Sequence, residues 1–152
     1  MGFPDTRLRR LRQTASLRAM VQETSLASSS LIAPIFVIPG AGEKKPISSM
    51  PGQFHFSADT AAGEAQELLT HGINAVLLFG IPPVKDEKGE SSCDEHGVVQ
   101  EAIRAIKKVA PDIVVIADLC FCEYTSHGHC GVLVHGDVHN DLTLIETKKQ
   151  AV

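Results

Sequence analysis

Two spacings of apolar residues alternate along this chain. Leu31 to Ile38 is an almost unbroken apolar run, interrupted by Pro34 and closed by Pro39-Gly40. Ala75 to Phe79 and Ile113 to Ala117 are two further runs of the same kind. Runs this short and this apolar predict strands buried on both faces, as in a parallel sheet. Pro34 has no amide hydrogen to give a ladder, so it predicts a strand start or an edge. Between the runs the spacing lengthens to that of a helix. Ala61, Ala62, Ala65, Leu68 and Leu69 share one face of a helix opened by Asp59 or Thr60 and closed by Gly72, where left-handed backbone favours glycine. Val98 to Val109 predicts a second helix with Val99, Ala102, Ile103 and Ile106 inward.

The remaining segments are polar or short. Residues 1–13 read as an irregular arm, and Thr14 to Gln22 as a brief helix capped by Thr14, with Leu17, Met20 and Val21 at helical spacing. The Gly-, Pro- and Ser-rich stretch 39–58 and the polar stretch 85–95 read as loops. Asn140 or Asp141 is expected to cap a last helix that still runs where the sequence stops. Strand, helix, strand, helix, strand implies parallel strands joined by right-handed crossovers. Three such strands leave two edges open and much apolar surface uncovered. The expected organisation is therefore an arm with a short helix over 1–30, then a partial (β/α) barrel over 31–152.

Charge changes this picture only at one end. The chain has 152 residues, 43% of them apolar, and a net charge of −4, which argues against general nucleic-acid binding. Arg7, Arg9, Arg10, Arg12 and Arg18 face only Asp5 in the first twenty residues. Such a segment suits an arm packed on a neighbouring subunit; an Arg-rich organelle transit peptide is the competing reading. Met1-Gly2 with Thr6 fits the short myristoylation pattern, which a short motif meets by chance. No stretch approaches the roughly 20 apolar residues of a membrane span, so a soluble, cytoplasmic chain without membrane partners is expected.

The candidate chemistry lies just past the third strand, in Asp118-Leu-Cys120-Phe-Cys122 and the following loop to Cys130. If the extended backbone continues, Asp118, Cys120 and Cys122 face one way, and Leu119, Phe121 and Glu123 the other. The carboxyl end of a barrel strand is where active sites are built. Gly128 and Gly131 would let the loop fold back and bring Cys130 alongside. Three soft thiolates favour zinc over magnesium or calcium. Three ligands without a fourth suit an open, catalytic site, whereas His127 or His129 would close a Cys₃His structural one. Three thiolates around zinc carry a net −1 charge, so binding and orienting an amine or carbonyl is expected ahead of hydroxide generation. Cys93 reads as an exposed thiol, His96 as an N-terminal helix residue without a special role, and His135 and His139 as surface histidines, although these two have metal-pair spacing.

These residues closely resemble one family. Asp118-Leu-Cys-Phe-Cys-Glu-Tyr-Thr-Ser-His-Gly-His-Cys130-Gly is similar to the metal loop of zinc-dependent porphobilinogen synthases. Arg9-Arg10-Leu-Arg12, Leu31 to Val37, Ile47-Ser-Ser-Met-Pro-Gly52, Gly72 to Pro82 and Gly97-Val-Val-Gln100 resemble further segments in the same order. The resemblance implies a TIM barrel that condenses two 5-aminolevulinate molecules into porphobilinogen with loss of two waters. It also implies a homo-octamer embraced by N-terminal arms, Cys120, Cys122 and Cys130 as zinc ligands, and Asp118 as an active-site acid. The family's two Schiff-base lysines, its substrate-carboxylate arginines and its magnesium site are expected beyond residue 152. Lys85, Lys88, Lys107, Lys108, Lys148 and Lys149 are read as loop or helix-surface lysines. The chain is thus expected to be an incomplete enzyme. The competing readings are a noncatalytic zinc-binding or subunit-interaction protein of the same fold, and a different metal-assisted hydrolase.

Overall fold

A computed structural model describes residues 2, 4–6 and 9–151; Arg7 of the basic arm and Met1 of the Met1-Gly2 pattern lie outside them. Three parallel strands form the centre of the fold: β1 (Ile32–Val37), β4 (Ala75–Gly80) and β5 (Val114–Ala117). The helices α2 (Ala58–Thr70) and α3 (Val98–Val109) follow β1 and β4, as the alternating periods predict. One face of the sheet, with Ile35, Val37, Val76 and Leu78, is sealed by the helix residues Ala61, Ala62, Ala65, Ala102 and Ile106. Small residues on both helices let them pack close together over the strands. The opposite face, with Phe36 and Phe79, is only half-buried, so the strands are not covered on both sides as their composition suggested. β5 lies at the sheet edge, where Val114 is exposed and Ile113, just before it, supplies the burial.

The stretch 39–58 is not all loop. It contains β2 (Lys44–Pro46) and β3 (Phe54–Phe56), an antiparallel pair that extends the sheet to the order β2-β3-β1-β4-β5. Phe54-His55-Phe56 has strand alternation too short to stand out in sequence. Lys44 Nζ lies 4.8 Å and 5.2 Å from the Phe54 and Phe56 rings, a favourable cation–π placement. Pro34 sits mid-strand rather than at a strand start. The Ile38 amide donates to Phe56 and the Ile81 amide to the Val37 carbonyl, so even-numbered positions of β1 turn toward β3. β3 pairs only with Phe36 and Val37; at Pro34 that side of β1 is a local edge, and no ladder bond is lost.

Helix ends follow local chemistry. Gly72, at φ 76°, closes α2, with its amide bonded to Leu69 and that of Ile73 to Leu68. The buried Ser57 precedes α2; it accepts from the Glu43 amide and donates to Asp59, whose other oxygen accepts from Gly42. α1 (Ala15–Met20) is capped by the Thr14 hydroxyl as expected, but buries no residue. The last helix, α4 (Asn140–Gln150), is capped by His139, whose Nδ1 accepts from Leu142, not by Asn140 or Asp141. A hairpin of β6 (Leu133–Val134) and β7 (Asp137–Val138) turns through His135 and Gly136, both at positive φ. His135 and His139 therefore serve as turn and cap, not as two ligands on one helical face. Among the described residues, no helix is long and apolar enough to cross a membrane.

Candidate metal centre

Ladder pairing continues one residue beyond β5, where the Asp118 amide donates to Leu78 at 3.1 Å. The chain then turns. Phe121 and Tyr124 are buried, and the Tyr124 and Thr125 amides both bond the Phe121 carbonyl. Burying two aromatic rings three residues apart requires a helical turn, and this ends the strand alternation. Leu119 stays exposed while Phe121 goes inward, so the expected shared face of Leu119, Phe121 and Glu123 does not form. Glu123 comes round instead to the side of Asp118 and Cys120.

The turn and the loop after it collect three sulfurs. The thiols of Cys120, Cys122 and Cys130 lie within 4.8 Å of one another, with Cys120 and Cys130 Sγ 3.2 Å apart. Tetrahedral zinc with bonds of about 2.3 Å separates its sulfurs by about 3.8 Å, so changes of about 1 Å or less in the sulfur separations make a three-thiolate seat. Two backbone amides already point at the sulfurs: Phe121 N–H toward Cys130 at 3.5 Å and Cys122 N–H toward Cys120 at 3.4 Å. Such donors stabilise thiolate charge, and the chemistry of the set fits a soft divalent ion. Asp118, Cys120 and Glu123 form a second group of the same compactness, so Cys120 belongs to both.

Burial sets the electrostatics. It pushes the Cys120 thiol well up, with neighbouring thiols and Glu123 adding and the Cys122 amide opposing. A bound cation reverses such a shift, because ligation favours the deprotonated sulfur. Burial also raises the Asp118 carboxyl, and the charge of Glu123 raises it further. The Tyr124 phenol is pushed up to about 12, first by burial and then by Glu123.

Neither candidate histidine joins the sulfurs among the described residues. His127 Nε2 bonds the Glu87 carbonyl, and its Nδ1 faces the His129 amide. The His129 ring stacks on that of His127. Cys93 is an exposed free thiol, as expected. Lys85, unremarkable in sequence as a loop lysine, lines a hollow over the carboxyl ends of β1 and β4 with Phe36, His55, Phe79, Cys122 and Glu123. Sequence reasoning missed His55, which lies on the short strand hidden in the Gly/Pro-rich stretch.

The family model described as Delta-aminolevulinic acid dehydratase matches residues 5–152. The chain belongs to the delta-aminolevulinic acid dehydratase family. A dehydratase of this name from Helicobacter pylori is 53% identical over 139 residues, covering 91% of this chain and 43% of the relative. One from Ruminiclostridium josui is 49% identical over 146 residues, covering 96% of this chain and 71% of the relative. The crystal structure of the Toxoplasma gondii dehydratase (porphobilinogen synthase), in complex with its reaction product porphobilinogen, is 37% identical. It superposes with a TM-score of 0.89 over 96% of this chain and 42% of that one. The chain spans less than half the length of several of the dehydratases it matches. The expected α/β fold, a partial barrel of this family, is thereby established.

Proposed function

We propose that this chain carries the zinc-holding part of a porphobilinogen synthase, which condenses two 5-aminolevulinate molecules into porphobilinogen with loss of two waters. The observation that carries the reading is the convergence of Cys120, Cys122 and Cys130 at the carboxyl end of a barrel strand in a member of this family. Sulfur donors favour zinc over magnesium, and the family's magnesium site is assigned to no residue here. When bound, zinc would supply an open coordination position that orients a substrate amine or carbonyl. Asp118, raised by burial, holds or passes a proton at its carboxyl beside that centre. Phe36 and Phe79, stacked with centroids 5.4 Å apart, form an apolar wall of the adjoining hollow. The Schiff-base role is assigned to none of the lysines of this chain.

Residues 1–30 form the arm in this reading, and residues 31–152 the partial TIM barrel. Leu11, Met20, Val21 and Leu26 are exposed on the arm, which suits burial against a second copy in a homo-octamer. Four free cysteines suit the reducing cytoplasm.

Cobalt(II) titration of the full chain tests the metal assignment. An intense thiolate-to-cobalt absorption at one equivalent is expected, abolished by Cys120→Ser, Cys122→Ser or Cys130→Ser. Binding that ignores all three substitutions would sink the reading. A metal-bound water titrating near about 7 would overturn the orienting role in favour of hydroxide generation.

A further inference from the structure

Little regular structure supports the segment from Asp118 to Gly131. It is held from outside, by the loop that follows β4. The Asp86 amide donates to Tyr124 at 3.2 Å and the Ser126 amide to Asp86 at 2.8 Å, a parallel bridge one residue long. One step on, His127 Nε2 lies 3.1 Å from the Glu87 carbonyl, and the His129 amide 3.1 Å from His127 Nδ1. An amide only donates, so Nδ1 must accept, and the ring proton sits on Nε2 and is given to Glu87. This fixes one neutral tautomer with both nitrogens engaged. The buried Thr125 hydroxyl donates to the His129 carbonyl at 2.9 Å. His129 is thus held at both its amide and its carbonyl, and the next residue is Cys130.

The anchoring loop is itself stiff. The Asp86 carboxylate accepts from the Lys88 amide at 2.8 Å and from Glu90 at 3.2 Å. Gly89, at φ 65°, packs so close that a Cβ there would stand 3.2 Å from Tyr124 and 3.3 Å from Phe121. A rigid loop gripping an irregular one can define where a side chain on the latter sits.

We propose that His127 is a positioning residue of the metal centre: its imidazole fastens the Cys130 arm to the Glu87 carbonyl, so the β4–α3 loop sets the geometry of the thiol seat. The inference rests on the reading that the three thiols hold a metal, and it places His127 outside the ligand set. Asparagine and glutamine separate its two bonds. In His127→Asn the shorter amide keeps an acceptor for the His129 amide, in an Asx turn, but does not extend to Glu87. In His127→Gln the longer side chain reaches Glu87 with an N–H.

The test compares His127→Ala, His127→Asn and His127→Gln with the unaltered full chain, using cobalt(II) as the metal probe and a chelator as competitor. Affinity about 10- to 100-fold weaker is expected for the alanine and asparagine variants, as for other outer-shell partners, with the thiolate-to-cobalt band displaced. His127→Gln should recover most of the loss. Wild-type affinity in His127→Asn, or no advantage of glutamine over asparagine, would overturn the proposal. Amide hydrogen exchange on the metal-free chain gives a readout independent of metal. Ser126 and His129 should exchange faster in His127→Ala, and unchanged exchange would sink the clasp. Should the unaltered chain and Cys130→Ser equally lack the cobalt band, the metal reading fails, and the exchange result still decides the clasp.

Discussion

Gly80 shows how closely one residue couples the sheet to the metal segment. It ends β4, and a Cβ there would collide with the Tyr124 hydroxyl and stand 2.6 Å from Val99. Tyr124 is buried and cannot swing outward without emptying its own site. Gly80→Ala should therefore cost about 1–3 kcal/mol, the usual penalty of overpacking, and disturb the turn that carries Cys122. Urea unfolding checks the first effect; wild-type stability in Gly80→Ala would show that the phenol relaxes freely. At this scale much of the candidate site was legible from sequence. Cys120, Cys122 and Cys130 stand out by spacing, and the structure brings their sulfurs together. Glu123 was not legible, because alternation assigns it to the far face and only the burial of Phe121 and Tyr124 reveals the turn. His127 was legible as a candidate but not in its arrangement, since its partner is a backbone carbonyl 40 residues away.

Among the elements, strongly periodic segments read best. α3 runs over Val98–Val109 as its spacing predicts, and α2 starts one residue before Asp59. β2 and β3 were hidden because three residues are too few to show a period. These strands are tied to α2 by Ser57 and Asp59. The Ser57 hydroxyl, 2.5 Å from Asp59, and the Gly42 amide hold the Asp59 carboxyl below its ordinary value. A carboxyl depressed in the folded state contributes stability that is present above its unfolded pKa, about 3.9, and is lost as pH falls through its lower folded value. The acid limb of a stability–pH profile should be flatter in Asp59→Asn than in the unaltered chain. Parallel limbs for the two proteins would remove Asp59 from the acid response.

At the scale of the whole molecule, the core and the arm are separable. Every buried apolar residue among the described ones lies at or after Ile35. Deleting residues 1–26 should thus leave the cooperative melt in place and, on the proposal that the arm packs on a second copy, lower the assembly state seen by sedimentation velocity. A truncated chain that assembles like its parent would show that the arm is dispensable for association. Fold class was legible because the βα period is long and repeats; which sheet face would be covered was not, since that depends on what packs against it. The two sheet borders differ in kind. β2 presents Lys44, Lys45 and Pro46, and charge and proline both oppose strand addition. β5 presents Val114 and Ala117 with neither safeguard. Growth of this sheet is consequently one-way: another strand, from whatever source, finds a template at β5 and a barrier at β2.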